Sequence, residues 1–198
     1  MPKLTFFNLS VDKKQKIIKS AMEEFELYTL KGAKVVRIIK RVNISRASFY
    51  KYFECLEDLY FFILNQQSVE TLSILKDELV ENEGDFFVSW NNLFLRYIHT
   101  PQMYSRFINR IFNLHFKDSL MYAKKYDDLL KEQIVDLSNL VDFNLLTVDK
   151  QDFYHLLSVS VSVVERILSY LESGFYNGEK AKVVFEKRMK IIINSQLR

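Results

Sequence analysis

The sequence contains few of the residues that make tight turns or covalent cross-links. Its 198 residues include 4 Gly, 2 Pro and 1 Cys. Sandwiches, barrels and doubly wound sheets need many tight turns, so this composition argues against them. One cysteine excludes an internal disulfide framework and a zinc site built on cysteines. No apolar run approaches the ~20 residues of a membrane span and residues 1–8 lack a signal-peptide core, so we expect a cytoplasmic protein with no membrane partner.

Basic residues are concentrated near the N-terminus. The net charge is +3, but residues 1–53 hold 12 of the 28 Lys and Arg and 4 of the 25 Asp and Glu. Residues 31–53 contain no acidic residue and carry seven basic ones, Lys31, Lys34, Arg37, Lys40, Arg41, Arg46 and Lys51. This asymmetry indicates a polyanion-binding segment joined to a body with another role. Charge alone fits a solvated basic surface equally well.

The pattern of apolar residues in this basic segment predicts three helices, over residues 11–28, about 34–41 and 46–53. Asn43 tolerates the left-handed conformation of a tight turn, and Ser45 is a favourable N-cap for the third helix. Two short helices joined by three or four residues form a helix-turn-helix. The same pattern also occurs in helical bundles that do not bind DNA.

The third of these helices has the side chains that a helix in the major groove requires. We expect Ile44 and Phe49 to face inward and a basic, small and hydroxyl-bearing set to face outward: Arg46, Ala47, Ser48, Tyr50, Lys51 and Tyr52. Residues 1–10 are expected to be disordered, with a minor-groove arm through Lys3 as the alternative.

Apolar periodicity continues through residues 56–198 and predicts an all-α fold. The expected helices cover residues 56–82, 86–99, about 104–112, 118–141, 150–173 and 179–196. Gly84 separates the first two, and the stretch from Gly174 to Gly178 is expected to be a loop before the last helix.

Four segments of the N-terminal part share a pattern: residues 17–25, 36–45, 45–53 and Glu57-Asp58-Leu59. Together they resemble the DNA-binding domain of TetR-family (tetracycline-repressor-like) transcriptional regulators. The resemblance covers about a quarter of the chain. Asn43 and Ala47 stand where the family often has glycine, and Leu56 replaces a lysine that usually touches a phosphate. The resemblance implies an all-α fold of about nine helices, with a helix-turn-helix DNA-binding domain over residues 1–55 and a helical ligand-binding and dimerisation domain over residues 56–198.

Carried over to this sequence, the resemblance implies a set of DNA-binding residues. Ser45, Arg46, Ala47 and Ser48 would contact or approach base edges. Phosphate contacts would come from Lys34, Arg37, Tyr50, Lys51 and Tyr52. Arg46 is the leading candidate for base readout, since a bidentate contact between arginine and guanine gives ~1–3 kcal/mol of discrimination. A dimer of such heads would bind a pseudo-palindromic operator of double-stranded DNA.

The C-terminal part suggests a dimer interface and a ligand site. The last two predicted helices are strongly apolar, and the expected homodimer interface comprises Phe153, Leu157, Val161, Val164, Leu168, Val184 and Ile191. The alternative is that these helices bury their apolar sides against their own subunit. Aromatic residues of the middle helices suit a small aromatic or amphiphilic effector: Trp90, Phe94, Tyr97, Tyr104, Phe107, Phe112 and His115. An aromatic stripe at helical spacing also fits plain core packing.

The sequence gives little support to catalysis. His99, His115 and His155 are far apart, so no pair of them can start a metal site on one helical turn. We expect a protein that is not an enzyme and that needs no metal or cofactor. The favoured function is a ligand-responsive repressor, and repression is preferred over activation from family habit alone. Two alternatives remain: a sequence-independent DNA-coating protein and a helical adaptor that binds a protein partner.

Overall fold

The computed structural model describes residues 1–100, residue 131 and residues 134–194. These residues divide into two compact units, one over Met1–Ser68 and one from Val69 onward. Every regular element among the described residues is helical, which confirms the all-α prediction. The predicted helix around residues 104–112 and most of the one at 118–141 lie outside these ranges. The division into a DNA-binding domain over residues 1–55 and a ligand-binding and dimerisation domain over residues 56–198 stays a prediction.

The described residues of the first unit form four helices and the beginning of a fifth. They are α1 (Leu4–Phe7), α2 (Val11–Leu27), α3 (Val35–Val42), α4 (Arg46–Tyr52) and α5 (Leu56–Glu81), which continues into the second unit. Ser10 caps α2, because its Oγ accepts a hydrogen bond from the Lys13 N–H at 3.4 Å. The apolar side chains that are fully buried in this unit include Phe6, Ile17, Ala21, Ile38, Phe49, Phe53 and Leu59.

The prediction that residues 1–10 are disordered is wrong. Residues 4–7 form α1, and the ring of Phe6 is completely buried. Phe6 packs on Phe53 with 4.8 Å between ring centroids and edge-on against Phe62 at 5.4 Å. Burial of a whole phenylalanine side chain stabilises the ordered state by ~1.5–3 kcal/mol, which offsets part of the entropy lost by ordering this short segment.

The second unit contains the remainder of α5, then α6 (Phe86–His99), α7 (Phe153–Glu172) and α8 (Gly178–Asn194). Residues 134–138 are helical as well. α8 packs on α7 and on α6. The fully buried side chains of this core include Leu75, Leu79, Phe86, Leu137, Phe153, Ile167, Ala181 and Phe185. Across the described ranges, no helix is both long and apolar enough to cross a membrane.

Gly84 ends the helical run of α5 and fixes the loop before α6. Its φ is +85°, and its N–H donates to the Leu79 carbonyl at 2.8 Å. Its own carbonyl accepts from the Asp142 N–H at 3.0 Å. A Cβ at this position would lie 2.7 Å from the Asp142 nitrogen and 2.8 Å from the Leu140 oxygen. The backbone therefore requires glycine here for both its conformation and its space.

Candidate nucleic-acid interface

The turn between α3 and α4 has the geometry that the sequence predicts. Asn43 has φ 51° and ψ 51°, the left-handed conformation, and ends α3. The N–H groups of Asn43 and Ile44 both donate to the Ile39 carbonyl, the latter at 3.1 Å. Ser45 then caps α4, since its Oγ accepts from the Ser48 N–H at 3.0 Å. α3 packs on both α2 and α4, so these three helices form a helix-turn-helix unit.

One side of α4 is exposed and the other is in the core. Phe49 is fully buried, whereas Arg46, Ala47, Tyr50 and Lys51 are exposed. Ser45 is exposed as well, and Ser48 and Ile44 are half-buried. The Arg46 guanidinium lies 5.7 Å from the centroid of the Tyr50 ring. The exposed side therefore presents a cation, an aromatic hydroxyl and small side chains together on one short helix.

The prediction that Tyr52 faces outward is wrong, because its side chain is 8% exposed. The ring lies 6.4 Å from that of Phe6 and 6.5 Å from that of Phe53. The segment that covers it is the one expected to be disordered. Tyr52 therefore belongs to the packing behind α4.

Arg37 and Arg41 both pair with a buried carboxylate. Glu24 is completely buried in α2 and accepts from the Arg37 Nε at 2.7 Å and from the Lys34 backbone N–H at 2.9 Å. Its second oxygen lies 3.3 Å from the Arg41 Nη1. Arg37 also stacks on Tyr28, with its guanidinium carbon 3.9 Å from the ring centroid, and donates to the Gly32 carbonyl. These contacts tie α3 to α2.

Burial alone would raise the pKa of Glu24, but its partners reverse the shift. The hydrogen bonds from Arg37 and from the Lys34 N–H, with the charges of Arg37 and Arg41, hold the pKa of Glu24 below its ordinary value. Glu24 is therefore ionised at neutral pH. The Arg37 side chain, predicted as a phosphate contact, is used in the fold instead, a role that its sequence context did not reveal.

Several lysines of this unit remain available to a polyanion. Within the described residues, the side chains of Lys34, Lys40 and Lys51 form no ion pair or hydrogen bond, and all three residues are exposed. Lys40 is not among the contact residues predicted from the sequence, although it belongs to the same basic run. The available cations of α3 and α4 are thus Lys34, Lys40, Arg46 and Lys51.

The predicted ligand-contacting residues that lie in the described ranges are packed in the second unit's core. Phe94 stacks on Phe185 with 4.0 Å between centroids, and Trp90 stacks on Phe86 at 5.9 Å. Burial raises the pKa of Tyr97 to about 12, so its hydroxyl stays protonated and donates to Thr71 Oγ1 at 2.8 Å. Within the part of the chain that the structure describes, the Trp90 Nε1 is buried without a hydrogen-bond partner. Tyr104, Phe107, Phe112 and His115 lie outside the described residues.

A groove in the second unit involves different side chains from those predicted for the ligand. It has a volume of about 440 Å³ and is lined by Glu78, Glu81, Asn92, Leu95, Arg96, His99 and Thr100. The buried Glu78 carboxylate binds Arg96 at 2.5 Å and accepts from Asn92 at 2.9 Å. The groove walls are therefore held by internal polar pairs.

Four of the predicted interface residues belong to the core of their own chain. Phe153, Leu157, Val164 and Leu168 are at most 7% exposed. Val161 and Val184 are half-buried against the same core, while Ile191 is 69% exposed. Assigning the four buried residues to a dimer interface is therefore wrong. Amphipathic periodicity locates the apolar side of a helix, but it does not say whether the same chain or a second copy covers it.

The outward sides of α7 and α8 carry a different set of residues. On α7 the exposed stripe includes His155, Ser158, Val159, Ser162 and Arg166. On α8, Ala181, Phe185 and Met189 face the core. Val183 lies two residues after Ala181, and Ile191 lies two residues after Met189. Two residues correspond to about 200° of helical rotation, so Val183 and Ile191 lie on the opposite side of α8.

The described part of the chain contains no candidate metal site. No group of three or more His, Cys, Asp and Glu residues in those ranges is arranged to hold a metal ion. Cys55 is exposed and has no disulfide partner, as expected for the one cysteine of the sequence.

No protein-family model and no curated protein matches the chain. Solved structures do match it. A TetR-family transcriptional regulator from Chloroflexus aurantiacus J-10-fl is 20% identical with a TM-score of 0.52, and the match covers 99% of this chain and 91% of that one. A TetR-family protein from Rhodococcus sp. is 12% identical with a TM-score of 0.66, over 93% of this chain and 100% of that one.

A third structure, a TetR-like transcriptional regulator from Rhodococcus sp. RHA1, is 16% identical with a TM-score of 0.54, over 90% of this chain and 93% of that one. All three matches extend over nearly the whole chain, far beyond the N-terminal segment that carries the sequence resemblance. Together with the all-helical architecture and the helix-turn-helix of α3 and α4, they show that the chain has the fold of the TetR-family transcriptional regulators.

Proposed function

We propose that this protein is a sequence-specific DNA-binding transcriptional regulator that acts as a dimeric, ligand-responsive repressor. The observation that carries the proposal is the outward side of α4. Arg46, Ala47, Tyr50 and Lys51 are exposed there, while Phe49 and Tyr52 anchor the helix from behind. A short helix that is fixed on one side and basic on the other is suited to the major groove.

The proposed contacts divide into two groups. Arg46 is placed against base edges, with Ser45, Ala47 and Ser48 allowing close approach. Lys34, Lys40, Tyr50 and Lys51 are placed against phosphates, which supply affinity but carry no sequence information. Arg37 supports this surface through Glu24 and Tyr52 supports it through Phe6, so neither is included among the proposed contacts.

The proposal is tested by selecting duplexes from a random-sequence library with the purified protein at near-physiological salt. A sequence-specific regulator enriches one motif and then binds that duplex about 10³-fold or more tightly than random duplex of equal length. Enrichment of no motif, with binding that falls steeply as salt rises, would favour the DNA-coating alternative. Failure to bind any duplex at low salt would favour the adaptor.

A symmetric dimer is proposed through the exposed sides of α7 and α8. Val159 is 51% exposed, Val183 44% and Ile191 69%, and Ser158 and Ser162 are small enough for close helix approach. A two-fold contact buries the same surface on both copies, so these residues would meet their counterparts. Two heads related by such an axis suit a pseudo-palindromic operator.

Replacing both Val159 and Ile191 by glutamate is expected to give a monomer, because four carboxylates would then lie in one interface. Sedimentation at micromolar concentration measures this directly. Val80 is 66% exposed on α5, so Val80→Glu is a control of similar exposure that should sediment as the wild type does. A double variant that remains dimeric, or a wild type that is already monomeric, would contradict the proposed interface.

Ligand responsiveness is supported by the buried Nε1 of Trp90, which has no hydrogen-bond partner among the described residues. A buried donor without an acceptor costs ~1–3 kcal/mol, and an effector with an acceptor atom would recover that energy. Binding would weaken operator affinity by favouring a state in which the two heads are spaced differently.

Trp90 is the only tryptophan in the sequence, so its fluorescence reports on this site alone. In a screen of small aromatic amphiphiles, compounds that release the selected duplex are expected to shift the Trp90 emission. Trp90→Phe retains an aromatic ring against Phe86 but removes the donor, and we expect it to weaken effector binding about fivefold, measured as DNA release. Release of DNA with an unchanged Trp90 emission would place the effector elsewhere.

A further inference from the structure

We propose that residues 1–8 form a brace that fixes the orientation of α4, and that Lys3 and Thr5 act as positioning residues without touching DNA. The inference rests on the proposed function for its consequence in DNA binding. Its structural half, the fixing of α4, is measurable whether or not the protein binds DNA.

The carbonyl groups at the C-terminal end of α4 are hydrogen-bonded by the N-terminal segment. A helix leaves its last four carbonyls without partners inside the helix. Here three successive carbonyls accept hydrogen bonds from the N-terminal segment. Lys3 Nζ donates to Tyr50 O at 3.1 Å, Thr5 Oγ1 donates to Lys51 O, and the Lys3 N–H donates to Tyr52 O at 2.8 Å.

The charge of Lys3 favours the same arrangement. The carbonyl end of a helix carries partial negative charge, and a cation placed there is stabilising by typically ~0.3–1 kcal/mol. Because the Lys3 ammonium is already engaged with the Tyr50 carbonyl, it is not the free cation that a minor-groove arm would need. This hydrogen bond distinguishes a brace from the DNA-contacting arm that the sequence left open.

Phe6 anchors the brace to the core. Its buried ring contacts Phe53, the C-cap of α4, and Phe62 on α5. From α2, Lys14 Nζ donates to the Phe7 carbonyl at 3.2 Å. The segment is thus connected to three helices of the first unit.

A helix as short as α4 needs such support. It has seven residues, and isolated helices shorter than ~12–15 residues are marginal in water. Apparent affinity for DNA falls in proportion to the fraction of molecules in which the helix has its binding orientation. A brace at the C-terminal end of α4 raises that fraction without adding a contact to DNA.

Thr5→Val is the first test, because it removes the hydroxyl donor while retaining the shape of the side chain. Thr5→Ser keeps the donor and is the matched control. We expect amide hydrogen exchange of residues 49–53 to become about fivefold faster in Thr5→Val, with α2 amides unchanged and Thr5→Ser close to wild type. Phe6→Ala should have a larger effect on the same amides, but it can also unfold the unit, so Thr5 carries the test.

DNA binding supplies the second readout, using the selected duplex and random duplex of equal length. Thr5→Val is expected to lose several-fold in affinity for the selected duplex, with the salt dependence of binding unchanged. Lys3→Met is expected to behave in the same way. If Lys3 instead bound a phosphate directly, Lys3→Met would reduce the slope of log affinity against log salt by about 0.9 per phosphate released, and that result would overturn the proposal.

DNA binding by the wild type tests the proposed function, and amide exchange of α4 in Thr5→Val tests the brace. If wild-type protein binds no duplex, the proposed function fails, and the exchange of α4 amides in Thr5→Val still decides the brace. If the wild type binds specifically while Thr5→Val leaves both α4 exchange and affinity unchanged, the brace is overturned and the proposed function stands.

Discussion

Replacing Arg46 by alanine is expected to remove most of the sequence preference of the protein while leaving its fold intact. The side chain is exposed, and among the described residues its guanidinium forms no ion pair or hydrogen bond and lies 5.7 Å from the centroid of the Tyr50 ring. A bidentate arginine–guanine contact contributes ~1–3 kcal/mol of discrimination, and a dimer makes two. We therefore expect the ratio of specific to random affinity to fall about 30-fold or more, measured by titration of both duplexes at one salt concentration.

Lys51→Ala is the matched control on the same helix. Lys51 is exposed and, within the described ranges, has no ion pair, so its proposed role is a phosphate contact. Its removal should weaken specific and random binding alike and reduce the salt slope by about 0.9 per phosphate. A uniform weakening of the same kind in Arg46→Ala would contradict base readout by Arg46.

Gly84→Ala is expected to destabilise the second unit by about 3 kcal/mol. A non-glycine residue in the left-handed region costs ~1–2 kcal/mol, and the added Cβ would meet the Asp142 nitrogen at 2.7 Å and the Leu140 oxygen at 2.8 Å. Both are backbone atoms, so the loop must move, and the hydrogen bond from the Asp142 N–H weakens. Denaturant unfolding followed through Trp90, which lies in the same unit, measures the destabilisation.

Two other glycines separate the causes of this effect. Gly174 has φ +74° but no atom within 4 Å of an added Cβ, so Gly174→Ala should cost about 1 kcal/mol from conformation alone. Gly178 begins α8 with neither constraint, and Gly178→Ala should change stability by less than about 0.5 kcal/mol. A Gly84→Ala variant no less stable than Gly174→Ala would show that the packing against residues 140–142 contributes nothing.

Features set by neighbouring residues could be predicted from the sequence. Asn43 at the turn and Ser45 at the N-cap of α4 depend on local backbone conformation and local hydrogen bonds, and both predictions are confirmed. The bounds of α5 and α6 agree with prediction to within a residue, because Gly84 interrupts an otherwise continuous apolar period. Helix signals of this kind extend over only a few residues.

Features set by distant partners could not be predicted in the same way. The pair of Glu24 with Arg37 joins residues 13 positions apart, and nothing in a basic run shows which cations are neutralised internally. The burial of Tyr52 depends on Phe6, which is 46 positions away in a segment that looks too short to fold alone. Both errors concern the candidate site, because a surface is defined by what the rest of the chain leaves uncovered.

We propose that α4 presents a base-reading surface to the major groove, twice per dimer. Footprinting of the wild-type protein on a duplex that contains the selected motif, with excess random competitor at near-physiological salt, tests this most directly. We predict one protected pseudo-palindrome whose half-sites are about one helical turn, or a multiple of it, apart. Uniform protection along the duplex, or protection that the competitor abolishes, would contradict it.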